Sequence, residues 1–401
     1  MTEGPYELPE GWRWVRLGEV AQRRANSLVP RRYPSRRFRY VGMEHLEAGQ
    51  WEEPQGVEVS GSDIKSQVIA FHPGLVLYGK LRPYLNKVFV PSYEGIASSE
   101  FVPIAPHPSL LSPKYLAAYL RTPGFVAYAN ANTTGSRQPR VRLEALWSVL
   151  LPLPPLAEQE RIVERLEAFM DRVREARRLR QEAREEAERL WQSVLADTFP
   201  RPGSALPPGW RWVRLGEVAY REANFLMPSD YPTKRFRYVG MEHLEAGQWA
   251  EPQGVEVSGA EIRSQVVLFR PGLVLYGKLR PYLNKVFVPR YEGVASTEFV
   301  PIAPRVDVLS PEYLGAYLRT PHFVDYATAN TTGSRQPRTR LDALWSAPIP
   351  LPPLAEQERI VERLEALQEK LRALEAAQAQ TDETLKRLEQ AILERAFRGE
   401  L

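Results

Sequence analysis

The sequence predicts an α+β protein in which two mixed α/β domains are joined by two long helices that form an antiparallel coiled coil. Three observations predict this arrangement: a long internal repeat, an abrupt change of composition within each copy, and a sustained apolar stripe after that change. The repeat sets the number of modules. The change of composition separates each globular part from its helix, and the stripe predicts how the helices pack.

The chain repeats itself at a constant offset of 198 residues. Residues 11–21 return letter for letter at 209–219, and residues 73–91 return at 271–289. Solenoid repeats are only about 20 to 50 residues long, so a repeat of this length is a complete module. The sequence therefore predicts two copies of one unit, each long enough to bury its own core.

Each copy opens with a predicted mixed α/β domain, residues 1–151 in the first copy and 208–349 in the second. Short runs such as 37–41 and 75–78 combine β-branched and aromatic residues and are bounded by Pro or Gly, which is typical of strands and turns. One helix is expected after the pair Ser112–Pro113, because Ser can cap a helix and Pro fits its first position.

Each copy then becomes a predicted long helix, in residues 152–199 and 350–401, with residues 200–207 as the linker to the second domain. Apolar residues recur every three or four positions for more than four heptads, which is typical of a coiled coil. Neither small domain can cover such a stripe, so we expect the two helices to pair antiparallel. Helices that pack on separate partners, or on a second chain, remain the alternative.

The basic residues are almost all arginine, 44 Arg against nine Lys, in a chain of net charge +4. Guanidinium groups suit phosphate oxygens and guanine edges, but a surface of Arg–Glu ion pairs would give the same excess. The absence of Cys excludes disulfides, thiolate metal sites and Cys nucleophiles. With no signal peptide and no apolar run of spanning length, we expect a cytoplasmic protein without membrane contact.

The first motif with binding chemistry follows a predicted strand in each copy. Residues 74–81 have the spacing of a nucleotide-binding P-loop, but Leu81 and Leu279 replace the hydroxyl residue, so nucleotide binding is not expected. Beyond it, cations alternate with an aromatic and an amide side chain, which suits contacts to phosphates and base edges. Alternatively, Tyr84 and Leu85 belong to the core and the cations are only solvated. The candidates for DNA binding are Lys80, Arg82, Tyr84, Asn86, Lys87, Lys278, Arg280, Tyr282, Asn284 and Lys285.

The second motif is the segment 133–140, which recurs intact as 331–338. It combines hydroxyls, a Gly that frees backbone amides, a Gln and two Arg, the groups that a DNA-contacting loop needs. Its candidates for DNA binding are Ser136, Arg137, Gln138, Arg140, Ser334, Arg335, Gln336 and Arg338. Weaker candidates, for which a solvated strand edge is the alternative, are Arg36, Arg37, Arg39, Lys234, Arg235 and Arg237.

No catalytic residue, metal site or cofactor is expected. His45 and His243 lack a second His four residues away, so zinc binding is not predicted. Glu100 and Glu298 could accept a hydrogen bond from cytosine, but we expect them to be buried, hydrogen-bonded structural groups. An adenine methyltransferase would need an Asn-Pro-Pro-aromatic or Asp-Pro-Pro-aromatic turn and a Gly-rich cofactor loop, and the sequence has neither.

Together the motifs resemble the specificity (S) subunit of Type I restriction-modification systems. The resemblance covers nearly the whole chain. It is carried in both copies by Leu-Pro-x-Gly-Trp-x-Trp-Val, Tyr-Gly-Lys-Leu-Arg-Pro-Tyr-Leu-Asn-Lys, Thr-Gly-Ser-Arg-Gln-Pro-Arg and Pro-Leu-Pro-Pro-Leu-Ala-Glu-Gln-Glu-Arg-Ile.

The resemblance implies two target-recognition domains, separated by an antiparallel coiled coil, that read a bipartite site on double-stranded DNA. It implies a non-catalytic subunit that docks two methyltransferase (M) subunits, with motor-nuclease (R) subunits in the full complex. It also implies DNA contacts for Lys80, Arg82, Tyr84, Asn86, Ser136, Arg137, Gln138 and their second-copy equivalents.

The near identity of the two domains departs from the usual pattern of two unlike domains. Antiparallel helices would relate direct repeats by a pseudo-twofold axis, so we expect a near-palindromic interrupted site with matching half-sites. The segments that differ most are 22–32 and 220–230. A recognition subunit of another defence assembly, a stand-alone DNA-binding protein, and a coiled-coil adaptor without DNA binding are the alternatives.

Overall fold

The computed structural model describes residues 4–401, which form two compact units of the same design. Unit 1 runs to Leu179 and takes in Ala379–Leu401, and unit 2 is the continuous segment Arg180–Gln378. Each unit therefore contains one globular domain, the first part of the long helix that follows this domain, and the last part of the other long helix.

Within the described residues, domain 1 contains thirteen strands, four short α-helices and three single-turn 3₁₀ helices, and the first long helix, α5, follows it. Strands β1 to β13 are Arg13–Arg16, Ala21–Arg23, Asn26–Leu28, Arg37–Val41, Val57–Ser60, Val68–Phe71, Val76–Gly79, Val88–Phe89, Gly95–Ser98, Phe101–Pro106, Thr133–Thr134, Arg140–Val141 and Leu150–Leu153. Helices α1 to α5 are Leu17–Val20, Pro113–Tyr119, Pro123–Ala131, Leu143–Ser148 and Leu156–Thr198.

Domain 2 repeats these strands and α-helices one by one. Strands β14 to β26 are Arg211–Arg214, Ala219–Arg221, Phe225–Leu226, Arg235–Val239, Val255–Ser258, Val266–Phe269, Val274–Gly277, Val286–Phe287, Gly293–Ser296, Phe299–Pro304, Thr331–Thr332, Arg338–Thr339 and Pro348–Leu351. Helices α6 to α10 are Leu215–Val218, Pro311–Tyr317, Pro321–Ala329, Leu341–Ser346 and Leu354–Phe397.

Two sheets organise each domain. In domain 1 a four-stranded antiparallel sheet has the order β2-β10-β7-β8, and a five-stranded sheet has the order β3-β6-β9-β4-β5. The five-stranded sheet is mixed, because β4 and β9 run parallel while its other pairs are antiparallel. Domain 2 has the same two strand orders. The prediction of mixed α/β domains is confirmed.

The main core of unit 1 packs the four-stranded sheet and helix α2 against both long helices. Gln159, near the start of α5, is fully buried. Its Oε1 accepts from the backbone of Ser112, and its Nε2 donates to the carbonyls of Leu110 and Pro154, all at 2.8–2.9 Å. The glutamine thereby satisfies buried backbone groups and fastens α5 to domain 1. Gln357 makes the equivalent bonds in unit 2.

The two long helices are antiparallel within each unit. In unit 1, α5 begins at domain 1 and α10 ends there, where the ring of Phe397 lies 5.0 Å from that of Tyr115. In unit 2, α5 ends at domain 2, where the ring of Phe199 lies 5.3 Å from that of Tyr313. The antiparallel pairing that the apolar stripe predicted is confirmed.

One part of the stripe differs from the prediction. Four leucines of the predicted apolar stripe are 44–56% exposed, namely Leu179, Leu190, Leu374 and Leu388. The stripe buries little apolar area in this part of the two helices, because Ala and Thr occupy several of its positions. None of the helices in the described residues has an apolar stretch of the length that a bilayer requires.

Candidate nucleic-acid interface

The two basic motifs lie side by side in each domain. Leu81 of the first motif and Arg140 of the second form an isolated antiparallel bridge. The backbone N–H of Arg82 donates to the carbonyl of Pro139 at 2.7 Å, and the N–H of Val141 donates to the carbonyl of Lys80 at 3.0 Å. We call residues 80–87 with 133–140, and their equivalents 278–285 with 331–338, the two-loop surfaces.

The first loop contains two residues in a left-handed backbone conformation, which residues other than glycine rarely adopt. Arg82 and Asn86 have φ values of 50° and 48° and flank the short helix Pro83–Leu85. Such left-handed residues cost about 1 to 3 kcal/mol each and cluster at functional sites. The turn directs Tyr84 outward, so that 55% of it is exposed. This exposure contradicts the alternative that placed Tyr84 in the core.

The second loop closes a short ribbon. Strand β11 pairs with β12, and Gly135 between them has φ of 85°. The left-handed value favours glycine at this position, as the sequence suggested. Ser136, Arg137 and Gln138 follow on the exposed tip of the loop. In unit 2, Gly333 has φ of 87° and Ser334, Arg335 and Gln336 take the same exposed places.

Four of the predicted side chains in unit 1 make contacts within the protein. The Nζ atom of Lys80 donates to the Ser99 carbonyl at 2.8 Å, and that of Lys87 donates to the Met43 carbonyl at 2.7 Å. Asn86 donates to the carbonyl of Arg121 at 3.1 Å. The Nη2 of Arg140 donates to Oε1 of Glu100 at 2.8 Å. The unit 2 equivalents Lys278, Lys285, Asn284 and Arg338 make the same four contacts. These side chains hold the loops in position.

Glu100 is hydrogen-bonded, as the sequence predicted. Its side chain is 22% exposed, however, and is therefore not fully buried. The hydrogen bonds from Arg140 hold the pKa of Glu100 below its usual value, although partial burial opposes the shift. Arg338 lowers the pKa of Glu298 in the same way. Both carboxylates are therefore ionised structural partners of the second loop.

Five predicted side chains per unit remain directed at solvent. Within residues 4–401 the guanidinium groups of Arg82 and Arg137 form no hydrogen bond, ion pair or ring contact, and both residues are exposed. Gln138 uses only its Oε1, which accepts from Arg140 at 3.3 Å. A ligand would therefore meet guanidinium, phenol, hydroxyl and amide groups together, the mixture that suits phosphates and base edges. These side chains are Arg82, Tyr84, Ser136, Arg137 and Gln138 in unit 1 and Arg280, Tyr282, Ser334, Arg335 and Gln336 in unit 2.

The weaker candidates make contacts typical of strand edges. Arg39 lies 3.5 Å over the ring of Tyr93 and donates to the Gln55 carbonyl at 2.6 Å. Arg37 lies 3.6 Å from Glu58. The same contacts recur for Arg237 and Arg235, and Arg36 and Lys234 each lie over a phenylalanine ring. These contacts favour the alternative interpretation of a solvated strand edge.

Arg121 is a supporting residue that the sequence analysis did not select. Its guanidinium is buried, lies 4.7 Å over the ring of Trp51 and donates to the carbonyl of Val88 at 2.6 Å. Burial lowers the pKa of Arg121 to about 10 and that of its equivalent Arg319 to about 9. Each arginine fixes the strand that follows the first loop. The sequence feature that could have pointed to these arginines is the segment Tyr-Leu-Arg-Thr-Pro, which occurs in both copies.

No group of His, Asp and Glu side chains in residues 4–401 has an arrangement that could hold a metal ion. His45 instead serves a local turn, because its Nδ1 accepts from the backbone of Gly42 at 2.9 Å. The ring of His45 packs edge-on against Tyr40, with the ring centres 5.8 Å apart. His243 makes the same contacts in domain 2.

Comparisons with known proteins identify relatives over most of the chain. The family model for the Type I restriction modification DNA specificity domain matches residues 9–183 and 271–381. The Type I restriction enzyme EcoDI specificity subunit of Escherichia coli is 27% identical over 328 residues, which cover 73% of this chain and 71% of that protein. The EcoBI specificity subunit of Escherichia coli is 25% identical over 332 residues, which cover 71% of this chain and 65% of that protein.

Two solved structures are similar over the full length. One comes from work on complex assembly and conformational transition of the type I R-M system. Its chain has a TM-score of 0.80 and 34% identity and covers 99% of this chain and 100% of its own. The other is the HsdS subunit from Thermoanaerobacter tengcongensis, with a TM-score of 0.61, 34% identity and full coverage of both chains.

Proposed function

This chain belongs to the Type I restriction modification DNA specificity family, and we propose that its two-loop surfaces read a bipartite site on double-stranded DNA. It is a non-catalytic DNA-recognition subunit of a Type I restriction-modification system, whose partners are methyltransferase and restriction subunits. We further propose which of its residues contact DNA, the form of the site and the number of partners.

The observation that carries the proposal is the meeting of the two basic loops in each domain, with their free side chains directed at solvent. Arginine can bind guanine in a bidentate manner, glutamine can bind adenine, and hydroxyl and phenol groups can contact phosphates. In this proposal Arg82, Tyr84, Ser136, Arg137 and Gln138 contact DNA directly. Lys80, Asn86, Lys87 and Arg140 hold the loops and add positive charge near the phosphates.

The two-loop surfaces of the two units have identical sequences, since 80–87 matches 278–285 and 133–140 matches 331–338. Identical surfaces should prefer the same bases. Direct repeats connected by antiparallel helices should present those surfaces in inverted order along a duplex. We therefore propose a near-palindromic interrupted site with matching half-sites and an unread spacer.

The repeat also supports the proposed stoichiometry. Two copies of the domain and of the long helix offer two equivalent docking places, which suits two methyltransferase subunits. Motor-nuclease subunits would join this assembly for restriction. We also place the complex in the cytoplasm.

The experiment begins with the complete complex in a host whose methylation is mapped. Modified adenines define the site, and a duplex carrying this site then serves as the binding probe. We expect the double variant R137A/R335A to bind this duplex about tenfold or more weakly, because each unit loses one contact of about 1 to 3 kcal/mol. Unchanged binding would remove both arginines from the interface, and two unrelated half-sites would remove the near-palindrome.

The control is the double variant R172A/K370A, which removes two cations at equivalent positions of the long helices. Both residues are exposed and lie outside the two-loop surfaces. The control loses the same net charge, so a specific role of the loops predicts a much smaller effect on binding. Co-purification of the methyltransferase with each variant shows that the complex is intact.

A further inference from the structure

The two units share their two-loop surfaces but differ in a neighbouring segment. Residues 22–32 of unit 1 correspond to residues 220–230 of unit 2. Within this segment three arginines of unit 1 have neutral or acidic counterparts in unit 2. Glu222 stands at the position of Arg24, Ser229 at that of Arg31, and Asp230 at that of Arg32.

The segment contains β3 of the five-stranded sheet, whereas the first loop follows β7 of the four-stranded sheet, and the two meet near the end of β9. Strand β3 pairs with β6, and β6 pairs with β9, so that Leu28, Val68 and Ser98 lie in one row across the sheet. Ser99, the next residue after this row, accepts the hydrogen bond from Lys80. Strands β3 and β9 both run antiparallel to β6, so they end on the same side of the sheet, and Arg31 and Arg32 follow the end of β3 by three and four residues.

The same proximity holds in unit 2. Leu226, Val266 and Ser296 form the equivalent row, and Thr297 accepts the hydrogen bond from Lys278. Burial lowers the pKa of Lys278, and the nearby positive charge of Arg221 contributes to the shift. The segment that contains Arg221 is thus within electrostatic range of the two-loop surface.

The three arginines of unit 1 are available to a ligand. Arg24, Arg31 and Arg32 are exposed, and within residues 4–401 their guanidinium groups form no hydrogen bond, ion pair or ring contact. In unit 2, by contrast, Glu222 binds Arg270 through two hydrogen bonds, of 3.0 and 2.7 Å, so these two charges neutralise each other. Unit 1 therefore presents three exposed arginines without an ion-pair partner in this segment, and unit 2 has no free cation at the equivalent positions.

We propose that residues 22–32 form an additional phosphate-contacting surface in unit 1, so that the two units bind DNA with different strength and salt dependence. Guanidinium groups without a protein partner suit contacts to the phosphates of a duplex backbone. This inference rests on the proposed function, because it takes the two-loop surface as the place where DNA lies. Unit 1 then anchors the complex, while both units read the same bases.

The test exchanges residues between equivalent positions. The variant R24E/R31S/R32D places the residues of unit 2 at these three exposed positions of unit 1. Binding of the full chain to a mixed-sequence duplex of about 30 base pairs is measured by fluorescence anisotropy between about 50 and 200 mM salt, where phosphate contacts dominate. We expect the salt slope, d log K/d log[salt], to fall in magnitude by about 2 to 3, since each phosphate contact contributes about 0.9.

Two further variants complete the test. The reverse exchange, E222R/S229R/D230R, is expected to increase the magnitude of the slope. The control R172E/R184S/R189D makes the same change of net charge on exposed positions of α5, outside the proposed surface. The inference is overturned if the exchange in unit 1 has no more effect than this control. It is also overturned if the exchange leaves DNA binding unchanged but releases the methyltransferase, which would assign the arginines to a protein partner.

The unaltered chain separates this inference from the proposed function. Failure of the unaltered chain to bind any duplex, at any salt concentration tested, would overturn the two-loop surface as a DNA interface and this inference with it. Normal salt-dependent binding that R137A/R335A weakens and R24E/R31S/R32D does not would overturn the inference alone.

Discussion

Arg140 and Glu100 form a bidentate ion pair that connects the second loop to the turn beside the first. The Nη2 of Arg140 lies 2.8 Å from Oε1 of Glu100, and its Nε lies 2.9 Å from Oε2. Arg338 and Glu298 repeat the pair in unit 2. The arginine that the sequence suggests as a DNA contact is therefore already bound, and its first role is to fix the distance between the two loops.

Replacing the carboxylates, in E100Q/E298Q, should make the loops less ordered and remove a pH dependence of stability. The pKa of Glu100 is lowered in the folded state, so the pair stabilises the fold above the unfolded-state value of about 4.3. This contribution is lost as the pH falls through the lowered folded value. We expect a loss of about 1 kcal/mol per pair at pH 7, measured by urea unfolding.

Urea unfolding at several pH values shows whether ionisation of Glu100 and Glu298 causes this loss of stability. The unaltered chain should lose stability more steeply than E100Q/E298Q as the pH falls below about 4.3, because only the unaltered chain protonates these carboxylates. Identical pH profiles would show that the pairs do not contribute. The variant R137A/R335A is the control, since it removes arginines that have no partner in the described residues.

Truncating the exposed tyrosines, in Y84A/Y282A, should weaken DNA binding without destabilising the protein. The two rings are 55% and 53% exposed, so their removal costs the fold little. We expect affinity for the methylome-defined duplex to fall by about five- to 100-fold, the equivalent of about 1 to 3 kcal/mol. Fluorescence anisotropy measures the affinity, and the unfolding midpoint should stay unchanged.

The variant Y84F/Y282F separates the ring from the hydroxyl. Affinity near that of the unaltered chain would indicate that the ring contacts the DNA, and a loss equal to that of the alanine variant would indicate a hydroxyl-to-phosphate bond. If neither variant changes binding, the tyrosines lie outside the interface.

Truncating the buried arginine, in R121A, should destabilise unit 1. The change leaves the carbonyl of Val88 without its donor and opens a cavity beside Trp51, both of which are costly in a buried place. We expect a loss of about 2 to 4 kcal/mol, measured by urea unfolding. A variant as stable as the unaltered chain would contradict the proposed support role, and R319A should reproduce the effect in unit 2.

The sequence predicts those features of the fold that depend on local or periodic signals. The long helices follow from an apolar stripe, and the position of the second loop follows from Gly135 and its polar neighbours. Contacts between residues that are distant in the sequence could not be predicted in this way. Arg140, for example, contacts Glu100 only because the pairing of strands brings the two residues together. For the same reason, the sequence could not separate Lys80, which binds the Ser99 carbonyl, from Arg82, which stays free.

Truncating Phe397 should release the end of α10 from domain 1. Phe397 is 2% exposed, packs against Tyr115 and Tyr119, and its carbonyl accepts a hydrogen bond from the Tyr6 hydroxyl at 2.9 Å. Removing a buried phenylalanine costs about 3 to 5 kcal/mol, because the cavity closes only in part. We expect F397A to accelerate hydrogen exchange in the last turns of α10.

The repeat supplies a matched pair for this prediction. Phe199, 1% exposed, occupies the equivalent place in unit 2, so F199A should accelerate exchange at the end of α5 and leave the end of α10 unchanged. The exposed Leu388 serves as the control, because L388A removes an apolar side chain of the same helix at little cost. If F397A and L388A accelerate exchange equally, then the aromatic contact is not what holds α10 to domain 1. Exchange confined to the helix end that was altered would show that each domain fastens its incoming helix independently.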